Sequence, residues 1–354
     1  MRRVLRIQNL LVLAYFAAVS LASCKKNGND SGHQKKWIVS TIAGDLIPNY
    51  RDGSVANAEF KHPMDVAVAT DGTLYIADLF SHRIRKISGG QVSTVAGFGI
   101  QDTANGVGIN AGYGLPSRLV IDGLGNIFTL DAADARVRKI TPAGIVSTYA
   151  GAVARGYAEG SALSARFGQS FGIVMDANGN IYIADSDNHR IRKITSQGIV
   201  STVAGSDTAG FTNGDVSSAK FFFPQGCVLD REGNLFVADQ NRIRKITPSG
   251  MVSTLAGTDT SGNADGDATK ASFSLIEDMV IDDQSNLYVT DENRIRKITP
   301  QGVVTTIAGS IQGYKDGDGS IAKFNSPIGL GIDTQGNIYV ADFNNSLIRK
   351  ISFE

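Results

Sequence analysis

Tryptophan occurs once in the 354 residues, cysteine twice, histidine four times and methionine five times. Two cysteines, Cys24 and Cys227, rule out a disulfide framework. Cys227 interrupts an aliphatic run and is expected to be a small buried hydrophobe. The histidines are His33, His62, His82 and His189, and the last two hold the same place in two internal repeats. That leaves no three distinct positions for a zinc site. Charge of one sign is missing as well. Lysine plus arginine balance aspartate plus glutamate at 34 each, so no global field draws in nucleic acid or an anionic membrane. There is no phosphate-binding glycine loop, no distinguishing serine–histidine–aspartate pattern and no helical apolar period of useful length after residue 36.

What the chain does have is one unit repeated six times. Each copy opens with V-[ST]-T-x-A-G, at Val39, Val92, Val146, Val200, Val252 and Val304, 52 to 54 residues apart. Each closes on a basic strand such as Arg190-Ile191-Arg192-Lys193-Ile194. A long fixed period means that each unit buries its apolar faces by stacking on its neighbours. In the third copy, Gly172 to Asp176 is an apolar run and Asn178-Gly179 is a hairpin turn. Ile181 to Asp185, Arg190 to Ile194 and Ile199 to Ala204 supply three further strands. Four short antiparallel strands per unit predict a propeller blade.

The motifs Gly179-Asn180-Ile181-Tyr182-Ile183-Ala184-Asp185 and Asn188-His189-Arg190-Ile191-Arg192-Lys193 resemble the NHL repeat, as does Gly336 to Asp342 with Ile348-Arg349-Lys350. The resemblance covers residues 37–354. It implies an all-β, six-bladed β-propeller and leaves function open, because NHL propellers serve as binding surfaces, enzymes and RNA readers. The repeats begin with a lone fourth-type strand, Trp37 to Ile42, and end after a third-type strand, Leu347 to Phe353. Pairing these two closes the ring, with the N-terminal strand completing the last blade and no free edge left.

Residues 1–23 read as a leader. Arg2, Arg3 and Arg6 precede the apolar run Leu10 to Leu21, which is too short for a comfortable membrane span. Leu21-Ala22-Ser23-Cys24 resembles the bacterial lipobox, which implies lipidation of Cys24 and anchoring by acyl chains. Residues 24–36 then form a polar tether, and the absence of aspartate after Cys24 favours the outer membrane, facing the periplasm or the surface.

Whatever recurs six times is scaffold. This removes the aspartates that end the second strands (Asp78, Asp131, Asp185, Asp239, Asp291, Asp342), expected to cap turns or pair with an arginine. It also removes the basic runs, which hold 17 of the 34 cationic residues and are spread around the ring, so no nucleic-acid partner is expected. Asp176-x-Asn178-x-Asn180 and Asp316-x-Asp318-x-Ser320 are better explained by turns than by calcium.

Departures from the repeat are the candidates for function. At the start of the inner strand one ring is Asp65, Arg118, Gly172, Gly226, Asp278 and Gly329, where the NHL pattern expects glycine. The preceding ring is Met64, Ser117, Phe171, Gln225, Glu277 and Ile328. Asp65, Arg118, Phe171, Gln225, Glu277 and Asp278 are therefore the candidate ligand-binding residues, at the mouth of the central channel. The alternative for the charged ones is an internal pair that closes the channel. The long loops between blades, with Tyr50, Arg51, Tyr157, Phe211 and Tyr314, share that face. Blades four and five have shortened turns there, predicting a notch. The leading expectation is a monomeric, anchored, non-enzymatic scaffold for an extracytoplasmic protein, peptide or glycan, without catalytic residues, metal or cofactor. The alternative is a propeller lyase or lactone hydrolase. In that case the carboxylates at the mouth would hold a divalent cation such as calcium, as related six-bladed propellers do.

Overall fold

The computed structural model describes residues 35–268 and 270–354. The leader, Cys24 and most of the tether lie outside this range. Alternating apolar residues fold each repeat into a blade of four antiparallel strands. Blade 1 comprises Pro63–Val68, Leu74–Asp78, Arg83–Ser88 and Gln91–Ala96. In blade 3 the strands are Gly172–Met175, Ile181–Asp185, Arg190–Ile194 and Ile199–Gly205. Blade 6 takes Pro327–Ile332, Ile338–Asp342 and Leu347–Phe353 from the end of the chain and Trp37–Gly44 from near its start. The two distant strands pair from Trp37↔Phe353 to Gly44↔Leu347, so the ring closes as the end strands require.

Five of the six sheets gain a fifth, outermost strand of two residues: Gly53–Ser54, Gly106–Val107, Gly160–Ser161, Gly214–Asp215 and Gly317–Asp318. Blade 5 has only the bridge Gly266↔Val304 in its place. The sequence marks these positions with an Asp-, Asn- or Glu-Gly pair, which suggests a turn. In four of the five the glycine backbone turns to positive φ, as at Gly53 (141°) and Gly317 (116°), and then pairs along the rim; Gly106 pairs there without a positive φ.

The core lies between blades. Six clusters of buried apolar side chains occupy the six junctions. Val66, Ile76 and Phe60 of blade 1, for instance, pack against Ala341 and Ile348 of blade 6. Full burial of one such side chain stabilises by about 1.5–3 kcal/mol.

The register puts the starts of the first and third strands and the ends of the second and fourth on one face, as in Pro63↔Asp78↔Arg83. The long loops emerge there. The hairpins between first and second strands lie on the opposite face, where the ring also receives Trp37 beside Phe353.

Candidate functional site

The long-loop face is held by one device used six times. The second arginine of each basic run (Arg85, Arg138, Arg192, Arg244, Arg296, Arg349) is fully buried. Arg296 is representative. Its Nη1 donates to Asp291 at 2.7 Å and to the Ser272 carbonyl at 3.3 Å, and its Nη2 donates to Asp265 at 2.7 Å and to the Ala264 carbonyl at 2.9 Å. Phe273 lies under the guanidinium, 5.1 Å from ring centroid to Cζ. Asp291 also accepts the backbone N–H groups of Ser274 and Leu275. The aspartate ring thus caps loops and pairs with arginine. The aromatic of each long loop (Phe60, Tyr113, Phe167, Phe221, Phe273, Phe324) is buried against that arginine.

Several loop residues that vary in sequence also serve this framework. The hydroxyls of Tyr50, Tyr157 and Tyr314 reach the outer-strand threonines Thr94, Thr202 and Thr41. Arg51 pairs with Glu59 at 2.7 Å. Asp176 accepts the N–H groups of Asn178 and Asn180 and the Asn180 amide, so its oxygens close a hairpin.

At the channel mouth Asp65, Ser117, Arg118, Gln225 and Asp278 are buried, and Phe171 and Glu277 are half-buried. Arg118 crosses the channel and donates to three carbonyls from three other blades: Phe171 at 2.8 Å, Met64 at 3.1 Å and Glu277 at 3.1 Å. Its hydrogen bonds therefore go to carbonyl oxygens and not to the carboxylate of Asp278. The two aspartates stitch neighbouring blades. Asp65 accepts the Leu119 N–H of blade 2 at 2.7 Å, and Asp278 accepts the Leu330 N–H of blade 6 at 2.9 Å.

The glycines of this ring have a packing reason. A Cβ on Gly329 would sit 2.4 Å from the Asp65 Cα, and one on Gly226 would sit 2.6 Å from the Asp278 Cα. One arginine and two aspartates make a buried lattice between blades. The floor of the mouth is closed by charge and hydrogen bonds together.

Two carboxylates share one guanidinium in this lattice. Burial, and then the charge of Asp278, pushes the Asp65 carboxyl up to about 7 against the opposing pull of Arg118. Burial also raises Asp278 and Glu277. A carboxyl raised on folding stabilises the fold below its unfolded value near 3.8, and that contribution is lost as pH rises through about 7. Wild-type stability should thus decline between pH 5 and 8 by on the order of 1 kcal/mol more than that of Asp65→Asn. Denaturant midpoints across that range test this, and parallel pH profiles for the two proteins would refute it.

Around this floor stand two aromatic groups that the sequence reading did not assemble. At the junction of blades 6 and 1, His62 lies 5.2 Å from Phe80 and 4.9 Å from Phe343. Burial and Lys61 hold the His62 imidazole below its ordinary pKa. At the junction of blades 3 and 4, Phe222 lies 5.7 Å from Phe211 and stacks on His189 at 6.1 Å, while Phe171 lies 6.0 Å from Phe223. In a ring of six these junctions are opposite one another. Phe80 and Phe222 are 41% and 43% exposed, unlike the buried loop aromatics.

His62, Phe223 and Ser326 share a left-handed backbone before a proline, with φ of 61°, 61° and 51°. Three of the six blades share that conformation, and Leu115 before Pro116 in blade 2 does not. The turns Leu79–Ser81, Ser186–Asn188 and Phe343–Asn345 are single 3-10 turns. Blades 4 and 5 make theirs with Gln240-Asn241 and Glu292-Asn293, two residues shorter, which gives the notch. Among the described residues, no group of three His, Cys, Asp or Glu is placed to hold a metal ion.

Comparison with known proteins places the repeats. The NHL repeat model matches residues 172–194 and 324–351. Mouse Teneurin-3 is 25% identical over 93% of this chain, which spans 14% of that protein's length. Among solved structures, an auxiliary nutrient binding protein from Bacteroides thetaiotaomicron superposes with a TM-score of 0.69 at 18% identity, covering 91% of this chain and 77% of that one. A streptogramin B lyase superposes with a TM-score of 0.56 at 14% identity, covering 90% and 98%. At these identities the structural likeness establishes the fold alone. The chain carries NHL repeats in a six-bladed propeller.

Proposed function

We propose that this propeller is an exported, non-enzymatic binding protein that holds a glycan on its long-loop face. The observation that carries the reading is the pair of exposed aromatic groups on opposite sides of a closed polar floor. Aromatic faces stack on the apolar C–H faces of sugar rings, while Gln225, Glu277 and the loop backbone supply hydrogen bonds. The floor is already committed: Arg118, Asp65 and Asp278 spend their polar atoms on the backbone of neighbouring blades. This favours their structural role over an enzymatic one and moves the candidate ligand contacts outward to Phe80, Phe222 and Phe171. A neighbour of the same fold is described as an auxiliary nutrient binding protein, which is in keeping with a binding role. The lipobox-like Cys24 supplies the anchor in this reading. The ring receives the chain at Trp37, on the face away from the long loops.

The test is affinity electrophoresis of the full chain over a panel of neutral and acidic polysaccharides. Retardation by at least one of them is expected, and the double substitution Phe80→Ala and Phe222→Ala should reduce the affinity about tenfold or more. Retardation unchanged in that variant would refute the site. Absence of retardation with every polysaccharide would refute the ligand class.

A further inference from the structure

A second site lies on the opposite face, where blades 5 and 6 meet at the closing seam. A cleft of about 720 Å³ opens there, lined by Trp37, Phe353, Gln284, Gln335, Lys297 and Thr305 among others. Its size falls within the range of small-molecule sites, about 300–1,000 Å³.

The repeat supplies an internal control. Blades 2 and 3 form a cleft of about 690 Å³ in the corresponding place. There the positions of Gln284, Thr334, Phe353 and Asp283 are held by Leu124, Ala177, Ser196 and Gly123. The cleft itself therefore belongs to the architecture, and its chemistry at the seam does not.

Trp37 is the sharpest departure. It stands where the other five units have the turn glycines Gly90, Gly144, Gly198, Gly250 and Gly302. Phe353 stands where they have glycine, serine or proline. The seam lacks the covalent hairpin that joins the third and fourth strands elsewhere, so both positions are free to carry large rings. Trp37 lies 4.9 Å from Phe353 and edge-on to Tyr288 at 5.9 Å. Phe353 is 51% exposed. Packing across the seam accounts for Trp37 against the buried Tyr288, and it leaves much of Phe353 uncovered beside the cleft.

The polar lining selects among ligands. Asp282 and Asp333 are spent on their hairpins: each accepts two backbone N–H groups, an asparagine amide and a tyrosine hydroxyl. Their charge still biases the cleft against anions, as does Asp283, which pairs with Arg231. What remains for a ligand is two glutamine side chains, the hydroxyls of Thr305 and Thr334 and the Lys297 ammonium, mostly neutral groups able to donate and accept, with the Gln335 amide donating to the Thr334 hydroxyl at 3.1 Å and its carbonyl oxygen left over. An aromatic wall with neutral bidentate groups suits a pyranose, which offers one apolar face and a rim of hydroxyls. We infer that the seam cleft between blades 5 and 6 is a binding site for a neutral sugar ring, distinct from the long-loop face.

Trp37 is the only tryptophan in the chain, so intrinsic fluorescence reports on this cleft alone. The full chain is titrated with cellohexaose, maltohexaose and xylohexaose, and with oligogalacturonate as an anionic control. A saturable fluorescence change with a neutral oligosaccharide is expected. Gln335→Ala should weaken that binding about tenfold, and Phe222→Ala on the far face should leave it unchanged. Gln335 is exposed and outside the core, so its variant keeps the ring intact even if Trp37→Ala disturbs closure. No saturable change with any neutral probe, a response to oligogalacturonate alone, or one insensitive to Gln335→Ala would overturn the inference. The electrophoresis of the Phe80→Ala and Phe222→Ala variant is also run in the Gln335→Ala background, so retardation through the seam is separated from loss at the long-loop face and the two sites fail independently.

Discussion

Replacing Arg118 with methionine is expected to cost the ring about 3–5 kcal/mol, the range for leaving buried charge without its counter-charge. The substitution keeps the apolar volume of the side chain but withdraws its hydrogen bonds from the carbonyls of Met64, Phe171 and Glu277. It also leaves Asp65 and Asp278, both buried, with no cation between them. Guanidinium denaturation is the measurement, and a loss below about 1 kcal/mol would show that the plug contributes little to holding the blades. The deficit should also depend on pH in a defined direction. Asp65 and Asp278 have raised pKa values, so acidification protonates them and removes the repulsion that Arg118 offsets. The gap between wild type and variant is therefore expected to narrow from pH 8 to pH 5. The unsatisfied carbonyls do not titrate, so part of the gap should persist.

The second large effect concerns the loop staples and is a ranking. Arg296→Met should cost about 3–5 kcal/mol, because Asp291 is left buried and uncompensated and the loop carbonyls of Ala264 and Ser272 lose their donor. Arg138→Met should cost less, by about 1 kcal/mol or more. In blade 2 the guanidinium is 3.8 Å from Asp131, against 2.7 Å for Arg296 and Asp291. Asp131 accepts the N–H groups of Gly114, Leu115 and Ala133, one more than Asp291 accepts, so it depends less on the arginine. The outer partner differs too: Asn105 in blade 2 and Asp265 in blade 5. Equal losses in the two variants, or a larger loss at Arg138, would contradict the assignment of the staple's strength to its carboxylates. Limited proteolysis within residues 258–275 should rise in Arg296→Met, as that loop loses its fixture.

The architecture was legible because it is written six times. The period, the Asn-Gly hairpins and the unmatched strands at Trp37 and Leu347 were together enough to predict a closed six-bladed ring. The outermost two-residue strands were not recognised, although Asp52-Gly53 and its counterparts marked every one. The signal of a turn and the signal of a strand that follows a positive-φ glycine are the same in sequence. At the channel mouth the odd residues were located correctly, but their partners were not. An internal charge pair is the natural expectation for Arg118, and its donors instead meet the carbonyls of three blades.

Side-chain reach across a ring cannot be read from repeat alignment, which gives positions around the axis and not distances across it. The aromatic groups around His62 and Phe222 escaped for a related reason. Each is assembled from two blades, and no single copy of the repeat contains one. Tyr50, Tyr157 and Tyr314 went the other way. They looked variable because their spacing from the glycine pair was not compared, yet each reaches an outer-strand threonine. The lipobox-like stretch ending at Cys24 lies outside the described residues.

Ring closure by Trp37–Gly44 against Leu347–Phe353 carries a consequence for biosynthesis. Trp37–Gly44 is made early and waits about three hundred residues for Leu347–Phe353, which by then already pairs with Ile338–Asp342 on its other edge. Until then blade 6 exposes the backbone edge of its third strand, and the cores that flank it at both junctions lack one wall. A product cut short before residue 347 would keep five blades and an open, sticky gap, a form that proteases and chaperones recognise readily. The seam therefore ties closure of the ring to the synthesis of residues 347–353.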